Sequence, residues 1–548
     1  MIRYLPVVLL CLSFTAITPA FAQDHSNSTD TASIHGTVID TRTSQPLNGA
    51  TVALRSMQAQ GRASAWSSAT TSSDGTFTFR GLAAGRYRLS ASHNGYADPS
   101  GSREALYGAR PGAALISLGA GQTLDDVVIR LAPTGVISGK IINEREEPMA
   151  GVLVQALKSS YRDGRREFAD ARTAFSDDRG EFRVWGLAPG RYYVKATTPR
   201  SFDKGPVPAQ AYVPVFYPGV IDPAQSQAID LRPGDEFAGV NLTVNPLHAV
   251  HVRGRVLTSN GQPAKGAGVT LSQFGSNGYT VEGEADAAGK FDIAGVPSGS
   301  YTLEAQQSEN SDSGRVLIGR STISVGDINA DVADVTVFSG AAVSGHVRLD
   351  GDGKVALARI RAALRPAAGS EGDEVGSTTV QQDGSFVFHD VPEGNYRVQL
   401  TSLPDGYYRK APDGAAEAGV VVSHGHASAI EIRLDSGAGS VQGTVFKDKD
   451  NQEALPSATV VLVPDASRRS DSEYYRSAIS DRSGRFVLRS VPPGDYLLFV
   501  FEELERDAYM DPEFIQQYEA LGKPVRIEER SSQNLQLQPT IQMEDTSH

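Results

Sequence analysis

Ten histidines, 64 carboxylates and a single cysteine are the side chains with which this chain could do acid–base, metal or nucleophilic chemistry. His424 and His426 flank one glycine, a spacing that puts two imidazoles on one face of a strand. His248 and His251 sit close together further upstream. Neither pair has a third ligand nearby in sequence, and a zinc site needs at least three protein ligands, so these read as loop and boundary histidines. The chain lacks His-Glu-x-x-His, Gly-x-Ser-x-Gly and the phosphate loop. The acid pairs Glu146-Glu147 and Glu502-Glu503 read as solvated surface. The expectation is therefore no catalytic residue, no metal and no cofactor.

The remaining chemistry is stacking. Trp185 stands five residues after Gly180, where four related stretches carry Arg80, Ala294, His389 and Arg489. Its parity is opposite to Phe182 and Val184, so it points outward from a strand. An exposed indole can stack on a sugar ring. The insertion that follows is rich in proline and aromatics, including Phe202, Tyr212, Phe216 and Tyr217. Trp185 with Tyr217 as a second wall is the candidate glycan-binding pair. The competing expectation is that the insertion folds over the indole.

The elements that would position these residues are repeated. Five stretches align without a gap on a turn glycine: Gly75, Gly180, Gly289, Gly384 and Gly484. Two residues on stands Phe77, Phe182, Phe291, Phe386 or Phe486; ten on, a second glycine; twelve on, Tyr87, Tyr192, Tyr301, Tyr396 or Tyr496. Asp lies one or three residues before the turn glycine, suited to bonding the turn backbone while Gly accepts positive φ. Alternation such as Phe77/Phe79 and Tyr87/Leu89 marks strands with one buried face. The tyrosine reads as a core aromatic whose hydroxyl bonds backbone near a sandwich corner. Each copy opens on a strand with a central glycine (Gly36, Gly139, Gly254, Gly345, Gly443) and closes on a short alternating strand.

Short strands at this spacing predict an all-β chain, a tandem array of five antiparallel β-sandwiches. The predicted divisions are a signal peptide 1–22, a flexible lead-in 23–32, sandwiches over 33–132, 133–246, 247–339, 340–435 and 436–540, and a tail 541–548. One short helix is predicted in the last sandwich. Asp511 suits its N-cap, Pro512 its first position and Gly522 its stop, with Phe514, Tyr518 and Leu521 on one face.

The pattern G-x-V … P-L-x-G-A-x-V … D-G-x-F-x-F-x-x-L-x-x-G-x-Y resembles the carboxypeptidase regulatory-like domain. That resemblance implies a transthyretin-like (prealbumin-like) sandwich, akin to starch-binding-like and collagen-binding modules, and an accessory or spacer role. The namesake's zinc chemistry has no counterpart, since there is no His-x-x-Glu. Related modules form Lys–Asn crosslinks. Lys140 has outward parity, whereas Lys447 has inward parity with Asn534 in the same copy, but no apolar cage with an acid surrounds them, so no crosslink is expected.

Composition narrows the partners. A net charge of −13 without a dense basic run excludes nucleic acid. The opening 22 residues have Arg3, an apolar stretch and Ala20-Phe21-Ala22, which predict secretory cleavage after Ala22. Cys11 falls inside that segment, so the mature chain carries no disulfide. The reading is an exported protein, periplasmic or extracellular, without a transmembrane segment in the mature chain. Its expected partners are a polysaccharide or another envelope protein.

Overall fold

A computed structural model of the chain describes residues 31–540 except 57–65, 99–113, 163–164, 199–209, 275–278, 309–315, 351–354, 368–373, 411–418, 449–452 and six single positions (457, 470, 482, 503, 505, 506). The predicted signal segment with Cys11, most of the lead-in, Phe202 and the tail lie outside these residues. The architecture is all-β, of β-sandwich type, with one short α-helix, Pro512–Tyr518.

Each copy of the motif builds two sheets. In the second copy the strand Glu181–Leu187 pairs with the opening strand Gly135–Ile142, which also pairs with the closing strand Glu236–Thr243. The facing sheet holds Arg165–Phe175, Leu153–Arg162 and Gly190–Thr197 in that order. Period-two alternation fills the space between the sheets, with Ile137, Val184, Tyr192 and Val194 all buried. Equivalent buried clusters span 32–131, 250–337, 341–434 and 441–537. In the third copy the strand Val335–Ser339 pairs with a strand of each sheet and joins the two.

The motif has a physical cause at each position. The turn glycines all have positive φ, between 70° and 92°. Asp177 accepts from the backbone N–H of Arg179 and Glu181; Asp286 and Asp481 do the same in their turns. The motif phenylalanine lies directly across from the opening-strand glycine in all five copies, as in Gly139↔Phe182 and Gly345↔Phe386. A Cβ on Gly345 would lie 2.2 Å from the Phe386 ring, so the glycine makes room for the aromatic. The motif tyrosines are buried, and each hydroxyl donates to the carbonyl four residues back: Ala83, Ala188, Pro297, Pro392 and Pro492, at 2.6–2.9 Å.

Opening and closing strands run parallel, side by side, in every copy, a pairing that alternation alone does not reveal. The chain therefore enters each copy at one pole and leaves at the other. Connections are short: a single residue, Gly340, separates the strands Val335–Ser339 and Ala341–Asp350. By compactness the chain divides into two units, residues up to Pro133 and residues from Thr134 on. Among the described residues no helix is long and apolar enough to cross a membrane.

Three local expectations are corrected. The helix stops at Tyr518 and continues as a 3-10 turn over Glu519–Leu521. The backbone leaves helical values at Tyr518 (φ −111°, ψ 1°), and Leu521 beyond it is exposed, while Phe514 and Tyr518 pack inward with Ile515 buried between them. Lys447 lies past the end of its strand, pairs with Glu453 at the surface and does not face inward, and Asn534 is exposed. His424 and His426 do not share a strand face, because His424 sits in a left-handed turn at φ 50°.

Candidate functional site

The site is the outer face of the three-stranded sheet in the second copy. The turn Asp177–Gly180 launches the strand Glu181–Leu187, and its inward residues Phe182 and Val184 are anchored in the core. Trp185 pairs across with Val136, which in turn pairs with Glu236. Immediately after Trp185 the register shifts by one residue, at Gly186 with φ +75°. A bulge of this kind bends a strand and re-aims a side chain. The same shift recurs in every copy, with Gly81, Gly295, Asp390 and Ser490 at the left-handed position. Sequence reading missed it, although the run of Gly, Asp and Ser six residues after the turn glycine is its signal.

Trp185 is 67% exposed. Two residues before it, Arg183 reaches across the sheet to Glu236 at 3.4 Å, both side chains more than half exposed. The indole is thus an apolar plane in a polar, hydrogen-bonding surround. That arrangement can stack on a flat apolar face and bond its polar rim.

Tyr217 is not brought to Trp185. It follows Phe216, which pairs with Lys195 in the opposite sheet, and its N–H donates to Val194 at 2.9 Å. Its ring packs half-buried against the core from that side. The expected two-walled groove is not formed. The described insertion residues 215–231, likewise, go to the other face. Phe216 is fully buried with Leu157 and Tyr193 beneath Phe168, Val220 and Ala228, and Arg166 stacks 4.0 Å from the Tyr193 ring centre. Nearby, Gln155 donates to Asp170 at 2.9 Å, and burial pulls the Lys195 ammonium below its usual range. Both outcomes were open from sequence: among the described residues the insertion covers a face, but not the face bearing Trp185.

The histidines are engaged locally. His251 bonds Asp292, whose carboxyl also takes Arg253 at 3.0 Å. His424 stands edge-on to Phe338 at 5.2 Å and bonds Ser423. Among the described residues no three His, Cys, Asp or Glu side chains converge as metal ligands.

The pattern of the carboxypeptidase regulatory-like domain matches residues 33–130 and 251–337. The chain carries carboxypeptidase regulatory-like domains. Serine-aspartate repeat-containing protein F of Staphylococcus epidermidis is 22% identical over 412 residues, covering 66% of this chain and 23% of the relative. The chain thus spans about a quarter of the length of the curated relative it matches. Among solved structures, the Bacillus anthracis TIE protein covers 71% of this chain and 68% of its own, at 13% identity and a TM-score of 0.17. The minor pilin of Streptococcus agalactiae covers 39% and 96%, at 16% identity and a TM-score of 0.23. The carboxypeptidase regulatory-like segments are the first and third copies of the motif; the second, with Trp185, lies between them.

Proposed function

We propose that the chain is an exported, non-enzymatic binding and spacer protein of the cell envelope, built from five sandwiches that start near Ser33, Pro133, Leu247, Gly340 and Ser436. The observation that carries this reading is the parallel pairing of opening and closing strands, which takes the chain from pole to pole through each copy. Repetition of one packing solution, with its motif tyrosines spent on backbone latches, favours scaffold over catalyst. The likeness to a serine-aspartate repeat-containing protein is in keeping with an adhesin-like role. The test is to recover the protein from its native envelope fraction, read its N-terminus by intact mass, and crosslink it to its neighbours. A mature chain starting at Gln23 and crosslinked to an envelope component supports the reading. Retention inside the cell contradicts it.

The exposed indole favours a second reading, carbohydrate binding by the second copy through Trp185. A glycan-array screen of the mature protein tests it. Binding lost in Trp185→Ala supports it, and no binding by the wild type removes it.

A further inference from the structure

Two departures from the repeat meet in space. The first is the hairpin of the second copy. Its strands Leu153–Arg162 and Arg165–Phe175 are 10 and 11 residues long, where the equivalents in the other copies have 4 to 6. Only Leu153–Leu157 pairs with the neighbouring strand, so Lys158–Arg162 and Arg165–Ala169 continue as a two-stranded ribbon. Such a ribbon is marginal in water on its own. The second departure is the helical insertion of the fifth copy. Its turn Ala508–Met510 lies against the strand Leu153–Arg162, some 350 residues away in sequence. The two stretches are electrically complementary. Among the described side chains, Lys158 and Arg166 of the ribbon are basic, and Glu502, Asp507 and Asp511 of the insertion are acidic.

The other seams in this part of the chain are also made. The insertion strand Gln210–Tyr212 of the second copy pairs with Pro246–His248 of the third. Phe338 of the third copy meets His424 of the fourth. Arg409 of the fourth lies 3.6 Å from Glu473 of the fifth, with side chains 9% and 19% exposed, and Gly406 N–H donates to Ser490 at 3.1 Å. Second touches third, third fourth, fourth fifth, and fifth second.

We infer that the ribbon and the helical insertion are a clasp, which closes the second to fifth copies into one cyclic body. The ribbon gains from the insertion the support it lacks alone. Attraction between partly exposed charges weakens with salt, which makes the clasp sensitive to ionic strength.

The test is a distance. The mature chain has no cysteine of its own once residues 1–22 are removed, so Ser159→Cys with Gln516→Cys takes two spin labels cleanly. Double electron–electron resonance on the labelled mature chain should give one narrow, short distance. Adding Lys158→Glu, or raising the salt to about 1 M, should lengthen and broaden it. A long, broad distribution in the chain without charge reversal overturns the clasp. A short distance that the charge reversal leaves unchanged overturns it as an electrostatic device.

Discussion

The two outer faces of the second copy carry aromatic residues of the same outward parity and treat them oppositely. On one sheet Trp185 stands open beside Arg183 and Glu236. On the other, Tyr193 and Leu157 are buried because Phe216, Val220 and Ala228 of the insertion are laid over them. Alternation assigns a side chain to a face; whether that face meets water is decided by a segment elsewhere in the chain. The fifth copy makes the same point. Its helix covers Phe499 and Phe501 on the equivalent sheet, again by an insertion before the closing strand. In these two copies the covered face lies under an insertion made before the closing strand.

The largest expected effect concerns what burial does to phenols inside the sandwiches. Tyr475 and Tyr496 are pushed up to about 12 by burial, and Tyr192 and Tyr301 are raised for the same reason. An unfolded tyrosine ionises near pH 10. The folded state then holds its protons more tightly, so this stability is fully present below about pH 10 and is lost as pH rises through about 12. In a pH titration followed by circular dichroism and phenolate absorbance, the last phenolate step, above about pH 10, should coincide with loss of the fold. Complete ionisation of all the tyrosines near pH 10 with the fold intact would mean that the buried phenols are reached by water.

Next in size is the covered face itself. Phe216→Ala removes the ring that closes it and should cost about 3–5 kcal/mol in chemical denaturation, as large-to-small changes at buried aromatics do. A change under about 1 kcal/mol would show that the insertion does not pack there. Tyr192→Phe keeps the ring and deletes one hydroxyl bond to Ala188, so the expected loss is about 1 kcal/mol, read from the same denaturation curves. Smallest of all is the open face. Trp185→Ala should stay within about 0.5 kcal/mol of wild type, as surface substitutions away from special features do.

Much of the fold was legible because local chemistry repeats. Turn glycines, facing phenylalanines and tyrosines recur at fixed spacing, and the buried clusters follow them. Long-range pairings were not legible. Nothing in Gly135–Ile142 or Glu236–Thr243 announces that they lie parallel, since alternation has no direction. A hydroxyl latch was also missed. Thr71, Ser176 and Ser480, four residues before the turn glycine, each take a backbone N–H and donate to a carbonyl of the preceding loop, as in Ser176 between Val152 and Met149. Ala285 and Val380 hold that place in the other two copies, so identity never flagged it. At the candidate site, parity placed Trp185 on an outer face. The partner assignment of Tyr217 failed because sequence proximity to an insertion does not say which sheet that insertion extends.

Trp185 presents an uncovered indole, while the described insertion residues 215–231 pack on the opposite face. The chain has only two tryptophans, Trp66 and Trp185, and both are exposed. Fluorescence of the Trp66→Phe variant, with stepwise acrylamide quenching, reads Trp185 alone. Red-shifted emission and quenching close to that of free indole in water are expected. Blue-shifted emission protected from acrylamide would mean that something lies over the ring, and would contradict an open face.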